Sequence, residues 1–323
     1  MTEQEWLSGL VIKAQSGFFV VQTELGAITC RVRGRLLETR LSTDPVALGD
    51  RVKISTVKEY ENDTVVLKGV IEEVEPRVRA FTRQAPSPDG RRDKPIDREQ
   101  VIIANPDQVV LVFACAQPAP KVKALDRLLV IAEKAEIPAI ICANKIDLVR
   151  RRDALDFFDL YDALGYRVIY TSAVKGTGIE ELREALIGKI SALTGPSGVG
   201  KTSLLNAIQP GLGLTVRSVS SATSKGRHTT VAPELFPLEG GGYVADTPGI
   251  RAVGLFNIEP SEIDGYFREI YPFIHECRFK DCRHEDEPGC AVRAAVEEGD
   301  IWIERYESYL RLRREAEEIF YRC

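Results

Sequence analysis

The chain has 323 residues, enough for two or three domains of ordinary size. Its 44% apolar and 28% charged content excludes wholesale disorder and fibrous repeats. A net charge of −5, from 43 Lys and Arg against 48 Asp and Glu, excludes a global basic field, so any nucleic-acid contact must come from local patches.

The first 30 residues carry acids and Gln without a long apolar core, unlike a signal peptide. Apolar runs such as 109–116 and 139–143 fall far short of the roughly 20 residues that span a bilayer. Seven cysteines, an odd number, favour thiols or a metal over a disulfide framework. These features predict a soluble, cytoplasmic protein with no membrane partner.

Residues 7–75 read as five short strands, at 10–13, 17–23, 28–33, 50–57 and 69–74, separated by turn signals such as Ser16-Gly17 and Gly49-Asp50. That spacing predicts a small antiparallel barrel of the OB type over 1–75. Arg31, Arg33 and Arg35 alternate along the third strand and are candidate RNA contacts, against a background of 9 basic and 12 acidic residues in 1–75. Residues 76–104 read as a basic linker, with Arg77, Arg79, Arg83, Arg91, Arg92, Lys94 and Arg98 among Pro86, Pro88 and Pro95.

From about 105 to 252, apolar strands alternate with helices, which predicts a parallel sheet covered on both faces. Strands are expected at 108–114, 139–143, 167–170, 190–194, 234–238 and 243–246, with helices at 122–135, 154–164, 179–187 and 201–208. Residues 253–323 hold a Cys/His cluster and an amphipathic helix at 303–320, with Ile303, Tyr306, Leu310 and Phe320 along one side.

The strand at 190–194 runs into Gly195-Pro196-Ser197-Gly198-Val199-Gly200-Lys201-Thr202 and then a helix beginning near Ser203, the GxxxxGK[ST] pattern in its strand–loop–helix setting. Its backbone N–H groups would wrap the phosphates, Lys201 would reach the β- and γ-phosphates, and the Thr202 hydroxyl would bind Mg²⁺. Asn144-Lys145-Ile146-Asp147 follows another strand, at the carboxyl end where such sheets bind ligands. Asp147 could accept from the guanine N1–H and 2-amino groups, a donor pair that adenine lacks. Lys145 would lie over the ring and Asn144 would tie this loop to the phosphate loop. In Thr171-Ser172-Ala173, the Ala173 N–H could donate to guanine O6. The nucleotide is therefore GTP rather than ATP.

Asp246-Thr-Pro-Gly249 fits DxxG, with Asp246 holding Mg²⁺ through water and the Gly249 N–H sensing the γ-phosphate. Residues 224–230 fit a first switch, in which Thr229 or Thr230 would close on Mg²⁺ in the triphosphate state, Thr230 being the candidate ligand. Ile250 stands where Ras-like enzymes carry the Gln that orients water, so His228 becomes the candidate catalytic group. The base-binding motifs precede the phosphate loop and switches, which is a circular permutation of the usual order.

Cys277-x₄-Cys282-x-His284-x₅-Cys290 offers a closed set of three thiolates and one imidazole, suited to one structural Zn²⁺. His275 could compete for a ligand position. Cys30, Cys115 and Cys142 fall in strand patterns and read as buried hydrophobes.

With these motifs in place, the chain resembles the RsgA (YjeQ/YloQ) family of circularly permuted GTPases over nearly its whole length. The resemblance extends to Arg33-Gly-Arg35, Leu48-Gly-Asp50, Ala104-Asn-Pro-Asp-Gln108, Gly226-Arg-His-Thr-Thr230 and Glu287-Pro-Gly-Cys-Ala-Val292, while Pro196 and Thr202 depart from the common Gln and Ser. It implies an OB barrel, a permuted Ras-like domain and a zinc-binding, mostly helical domain. It also implies GTP hydrolysis to GDP stimulated by the small ribosomal subunit, contact with its rRNA during late maturation, and a catalytic role for the histidine at 228. A monomer is the simplest expectation. Two other classes stand beside this reading: a GTP-dependent RNA-binding module with negligible turnover, and a switch for a protein or membrane partner.

Overall fold

The computed structural model describes residues 6–38, 43–61, 64–84, 99–214, 234–246, 255 and 257–321. Strands β1 (Leu7–Gln15), β2 (Phe18–Thr23), β3 (Gly26–Val32), β4 (Arg51–Glu61) and β5 (Thr64–Val74) close a barrel in the order β1-β2-β3-β5-β4, with the short helix α1 (Gly34–Glu38) after β3. All pairings are antiparallel except β3 with β5, the junction that closes the barrel. Alternating Val11, Val21, Ile28, Cys30, Val52, Ile54 and Ile71 fill its interior, as period-2 patterning requires.

The segment read as a basic linker is structured at both ends. β6 (Ala80–Gln84) and β7 (Glu99–Ala104) pair antiparallel, while residues 85–98 lie outside the described residues. Phe81, Val101 and Ile103 are buried, and Phe81 and Ile103 join Leu48 in the main core. The charged residues that mark the segment as a linker outnumber these few apolar anchors, which is why composition misreads it. Gly49 sits at φ +86 with a Cβ position 2.2 Å from the Ala104 carbonyl oxygen, so only glycine admits this approach. The Ala104 N–H donates to the Leu48 carbonyl (2.7 Å). Arg77 clasps buried Asp50 with two bonds of 2.8 Å, completing the joint between barrel and hairpin.

The nucleotide domain is a six-stranded sheet in the order β10-β9-β8-β11-β13-β12. Its strands are β8 (Gln108–Ala114), β9 (Ala139–Asn144), β10 (Arg167–Thr171), β11 (Ile190–Thr194), β12 (Leu235–Pro237) and β13 (Tyr243–Asp246), all parallel except edge strand β12. β8 and β11 are buried along their whole length, as a doubly covered sheet demands. Helices α2 (Val122–Lys134), α3 (Arg151–Ala163), α4 (Ile179–Leu186) and α5 (Lys201–Ile208) cover it. Edge strand β12 meets the barrel: Lys13 of β1 bridges to Glu234, with their charged groups 2.8 Å apart.

The C-terminal part contains α6 (Ala291–Glu298) and α7 (Ile303–Phe320) with short 3₁₀ turns before them. Only part of the apolar stripe expected from sequence on α7 packs inward: Tyr306 and Leu310 lie half-buried against the main core. Ile303 and Phe320 are exposed, whereas Arg305, Ser308, Tyr309, Leu312, Arg313 and Ala316 are buried. Two arginines can be buried there because their partners are waiting. Arg305 pairs with Asp126 of α2 and, at 2.5 Å, with Glu269, and its guanidinium lies 4.5 Å from the Phe267 ring centroid. Among the described residues, no helix is long and apolar enough to cross a membrane.

Candidate nucleotide and metal sites

The base and phosphate motifs converge on the carboxyl ends of β9, β10 and β11. Asn144, buried at the end of β9, donates from Nδ2 to the Val199 carbonyl at 2.8 Å, joining loops 55 residues apart. Its Oδ1 accepts from the Thr171 hydroxyl at 3.1 Å, and Thr171 in turn contacts the Cys142 sulfur at 3.2 Å. Its only signal in the sequence is a hydroxyl at a strand end. Lys145 adopts a left-handed conformation (φ 62) that turns its ammonium to the Gly198 carbonyl at 2.7 Å and to the carbonyl of Gln117. Gln117 belongs to the loop after β8, a wall of the base site that carries no sequence signature. Ser172 donates to Asp147 Oδ1 at 2.5 Å, fixing one carboxylate oxygen of Asp147, whose residue remains exposed. Ala173 follows directly.

The phosphate loop, residues 195–200, links β11 to α5. Gly200 caps α5 at φ +97, and its Cβ position would lie 2.6 Å from Asn144 Nδ2, so the bond between the two motifs is possible only with glycine there. Lys201 Nζ donates to the Gly195 and Pro196 carbonyls at 2.8 and 3.0 Å, holding its charge inside the concavity of the loop. Thr202 and Ser203 occupy the first turn of α5, where free N–H groups and the helix dipole favour an anion. Asp246 ends β13 opposite Leu193 of β11, which puts its backbone beside the strand leading into the phosphate loop. Hard oxygen donors at Thr202 and Asp246 suit Mg²⁺. His228, Thr229, Thr230, Gly249 and Ile250 lie outside the described residues.

The four expected metal ligands come together, with their ligating atoms all within 4.8 Å of one another. Cys277 Sγ lies 3.9 Å from Cys290 Sγ and 3.5 Å from His284 Nδ1. Those separations are close to the edges of a tetrahedron with bonds of about 2.0–2.3 Å, so the donor set fits Zn²⁺. His284 is buried, and its other nitrogen, Nε2, lies 3.1 Å from Asp264 Oδ2, the outer partner that orients a ligating imidazole. Asp264 lies 13 residues before the first cysteine, too far for a spacing rule to find. His275 is exposed and not among the four. Burial pushes the Cys30 and Cys142 thiols up to about 12 and Cys115 up to about 11, so all three stay protonated at neutral pH. Cys30 and Cys142 are buried as expected, whereas Cys115 follows β8 in a half-buried loop.

The arginine candidates on the barrel do not form one strand face. β3 stops at Val32, and Arg35 sits on α1. Arg33 pairs with buried Glu72 at 2.7 Å, Arg35 Nη2 donates to the Glu72 carbonyl at 2.9 Å, and the Arg31 guanidinium lies 5.0 Å from the centroid of the Phe18 ring. Gly34 interrupts the alternation on which the sequence reading rests.

Comparison with known proteins bears on the whole chain. Residues 74–256 match the family described as RsgA GTPase and residues 8–65 the RsgA N-terminal domain. The chain belongs to the RsgA GTPase family. Among RsgA relatives, a protein of Gemmatimonas aurantiaca named small ribosomal subunit biogenesis GTPase RsgA is 44% identical, covering 95% of this chain and 97% of its own. A Moorella thermoacetica protein of the same name is 43% identical, with coverages of 94% and 95%. The crystal structure of YjeQ from Thermotoga maritima superposes with a TM-score of 0.75 at 36% identity, covering 97% and 99% of the two chains. That of YloQ, described as a circularly permuted GTPase, gives 0.72 at 32% identity and 98% of both. This RsgA-family member is a GTP hydrolase and, like YloQ, has its motifs in permuted order.

Proposed function

We propose that this chain hydrolyses GTP to GDP and phosphate while bound to the small ribosomal subunit, acts in late maturation of that subunit, and leaves it after hydrolysis. The observation that carries the nucleotide assignment is the Asn144–Val199 bond, which locks a guanine-reading loop onto a phosphate loop. The names of the full-length relatives support the subunit as partner.

In this reading Asp147 accepts from the guanine N1–H and 2-amino group, Lys145 covers the ring, and the Ala173 N–H donates to O6. Ser172 holds Asp147 in place, a positioning role. The N–H groups of residues 195–203 surround the phosphates, and Lys201 turns from the loop carbonyls to the β- and γ-phosphates. Mg²⁺, held through Thr202, Thr230 and Asp246, would neutralise charge developing between those phosphates. Gly249 senses the γ-phosphate. His228 supplies the water-orienting group that Ile250 cannot. Zn²⁺ at Cys277, Cys282, His284 and Cys290 is structural, since its four protein ligands leave no open position. Arg31, Arg33 and Arg35 offer an RNA-facing edge in which two members are already tied to Glu72.

The deciding experiment is GTP hydrolysis by the purified chain alone, with small subunits and with large subunits. A large stimulation by small subunits only is expected. Tight GTP binding without stimulation would overturn the subunit-dependent mechanism and leave a guanine-nucleotide switch for another partner.

A further inference from the structure

Three loops leave the carboxyl edge of the adjacent strands β8, β9 and β10 on the guanine side of the nucleotide domain. These loops and the first turns of the helices that follow them carry Lys121 and Lys123, then Arg150, Arg151 and Arg152, then Lys175, all six exposed. Contacts between the loops make them one surface: Lys145 reaches the Gln117 carbonyl and Ser172 reaches Asp147. None of the six cations pairs with an acid among the described residues. The nearby ion pairs, Arg167–Glu181 and Arg183–Glu180, use other side chains.

No ion pair among the described residues gives this arrangement a structural role. Arg151 and Arg152 open α3, where the positive end of the helix dipole disfavours a cation by about 0.3–1 kcal/mol. Asp156 stands four residues after Arg152, yet no bond joins them. Nor do the phosphates of GTP account for the cluster, because the phosphate loop follows β11, on the far side of β8. The barrel meanwhile carries 9 basic against 12 acidic residues over 1–75, with Arg33 and Arg35 engaged by Glu72. Two of the three arginines expected on the barrel edge are thus already engaged, whereas none of the six cations on this rim is paired among the described residues.

We propose that the rim formed by Lys121, Lys123, Arg150, Arg151, Arg152 and Lys175 is a docking surface for the phosphate backbone of RNA. Planar guanidinium groups match phosphate oxygens in pairs, and a polyanion supplies the closely spaced charges that three consecutive arginines require. This proposal rests on the reading that the small ribosomal subunit is the partner. A surface placed here would bring RNA beside the loops that hold the base, so docking and nucleotide retention would share one edge of the sheet.

The test is binding of the full chain, loaded with a non-hydrolysable GTP analogue, to purified small subunits and to protein-free rRNA extracted from them, across a salt series. The triple variant R150Q/R151Q/R152Q is compared with wild type, and K121Q/K123Q gives an independent second variant. Neither touches a residue of the nucleotide site, so GTP affinity and intrinsic turnover serve as controls for folding. The triple variant is expected to bind both targets at least tenfold more weakly, with the slope of log affinity against log salt reduced by about 2–3. Unchanged affinity and slope would overturn the proposal. So would a loss confined to intact subunits, which would assign the rim to an acidic protein surface instead. Failure of wild type to bind either target would instead overturn the subunit reading itself.

Discussion

Asn144 and Val199 are joined by a side-chain-to-carbonyl bond of 2.8 Å that passes over Gly200, whose missing side chain leaves it room. The guanine loop and the phosphate loop thus depend on each other for shape. In Asn144→Ala, the Val199 carbonyl and the Thr171 hydroxyl lose a buried partner, at a cost of about 1–3 kcal/mol. Guanine-nucleotide affinity should fall roughly 5- to 150-fold over that range, as read by titration with a fluorescent GDP. Unaltered affinity would show that the two loops are held by other contacts.

His228→Ala should leave GTP binding intact and lower subunit-stimulated turnover by about 10²–10⁴, the usual weight of a positioned acid–base group. Lys201→Ala should abolish hydrolysis with or without subunits. Normal stimulated turnover in the histidine variant would remove His228 from the mechanism.

Asp264→Asn keeps the size of the side chain but removes the charge facing His284 Nε2. Zinc affinity is expected to drop by about 10–100-fold, measured by competition with a chromophoric chelator, while nucleotide affinity stays the same. A stoichiometry of one zinc per chain by elemental analysis is the companion expectation, and Cys282→Ser should lose it.

Arg305→Met strands Asp126 and Glu269 as buried carboxylates without their cation. Breaking a buried pair from one side costs about 3–5 kcal/mol, visible as a lower midpoint in urea unfolding. A change under about 1 kcal/mol would mean that the donors left on Asp126, the Ser308 and Tyr161 hydroxyls, satisfy it alone.

Alkaline pH should weaken the same interface. Burial raises the phenol groups of Tyr161, Tyr166 and Tyr309 well above their ordinary range. Their folded values therefore exceed the unfolded value of about 10, so their contribution is complete below pH 10 and is lost as pH rises beyond it. Unfolding midpoints should start to fall above about pH 8.5, where the thiols of Cys30, Cys115 and Cys142 ionise in the unfolded chain only, and fall more steeply above about pH 10 as the three phenols join them. Ionisation of these three, followed at 295 nm, should accompany unfolding rather than precede it.

The nucleotide domain was largely legible in the sequence because each motif has its own chemistry: glycines where backbone must approach phosphate, and Asn144 and Asp147 directly after an apolar strand. The cluster of Cys277, Cys282, His284 and Cys290 was legible for a similar reason, since thiols and imidazole at close spacing have few uses besides holding a metal. What sequence did not show were interactions between charged or polar residues distant along the chain. Arg305 reads as a surface residue until Asp126, 179 positions earlier, is seen to face it. Glu72 likewise redirects Arg33 and Arg35, and three apolar anchors turn the ends of a charged segment into strands. In each case the deciding term was a partner brought in by the fold, which local hydropathy cannot contain.

The strand order also sets a timetable for synthesis. β8, β9 and β10 are neighbours in the sheet and consecutive in the chain, with α2 and α3 linking them. The half that carries Asn144–Asp147 and Thr171–Ala173 can therefore assemble as soon as it emerges, before residues 195–202 exist. At about 5–20 residues per second, several seconds separate Asn144 from Val199. For that interval a nascent chain holds the base-reading loop without the loop that grips phosphate, and it gains its grip on the nucleotide only when β11 slides in beside β8. A conventionally ordered GTPase makes its phosphate loop first; this one makes it only after the Asn144–Asp147 and Thr171–Ala173 loops.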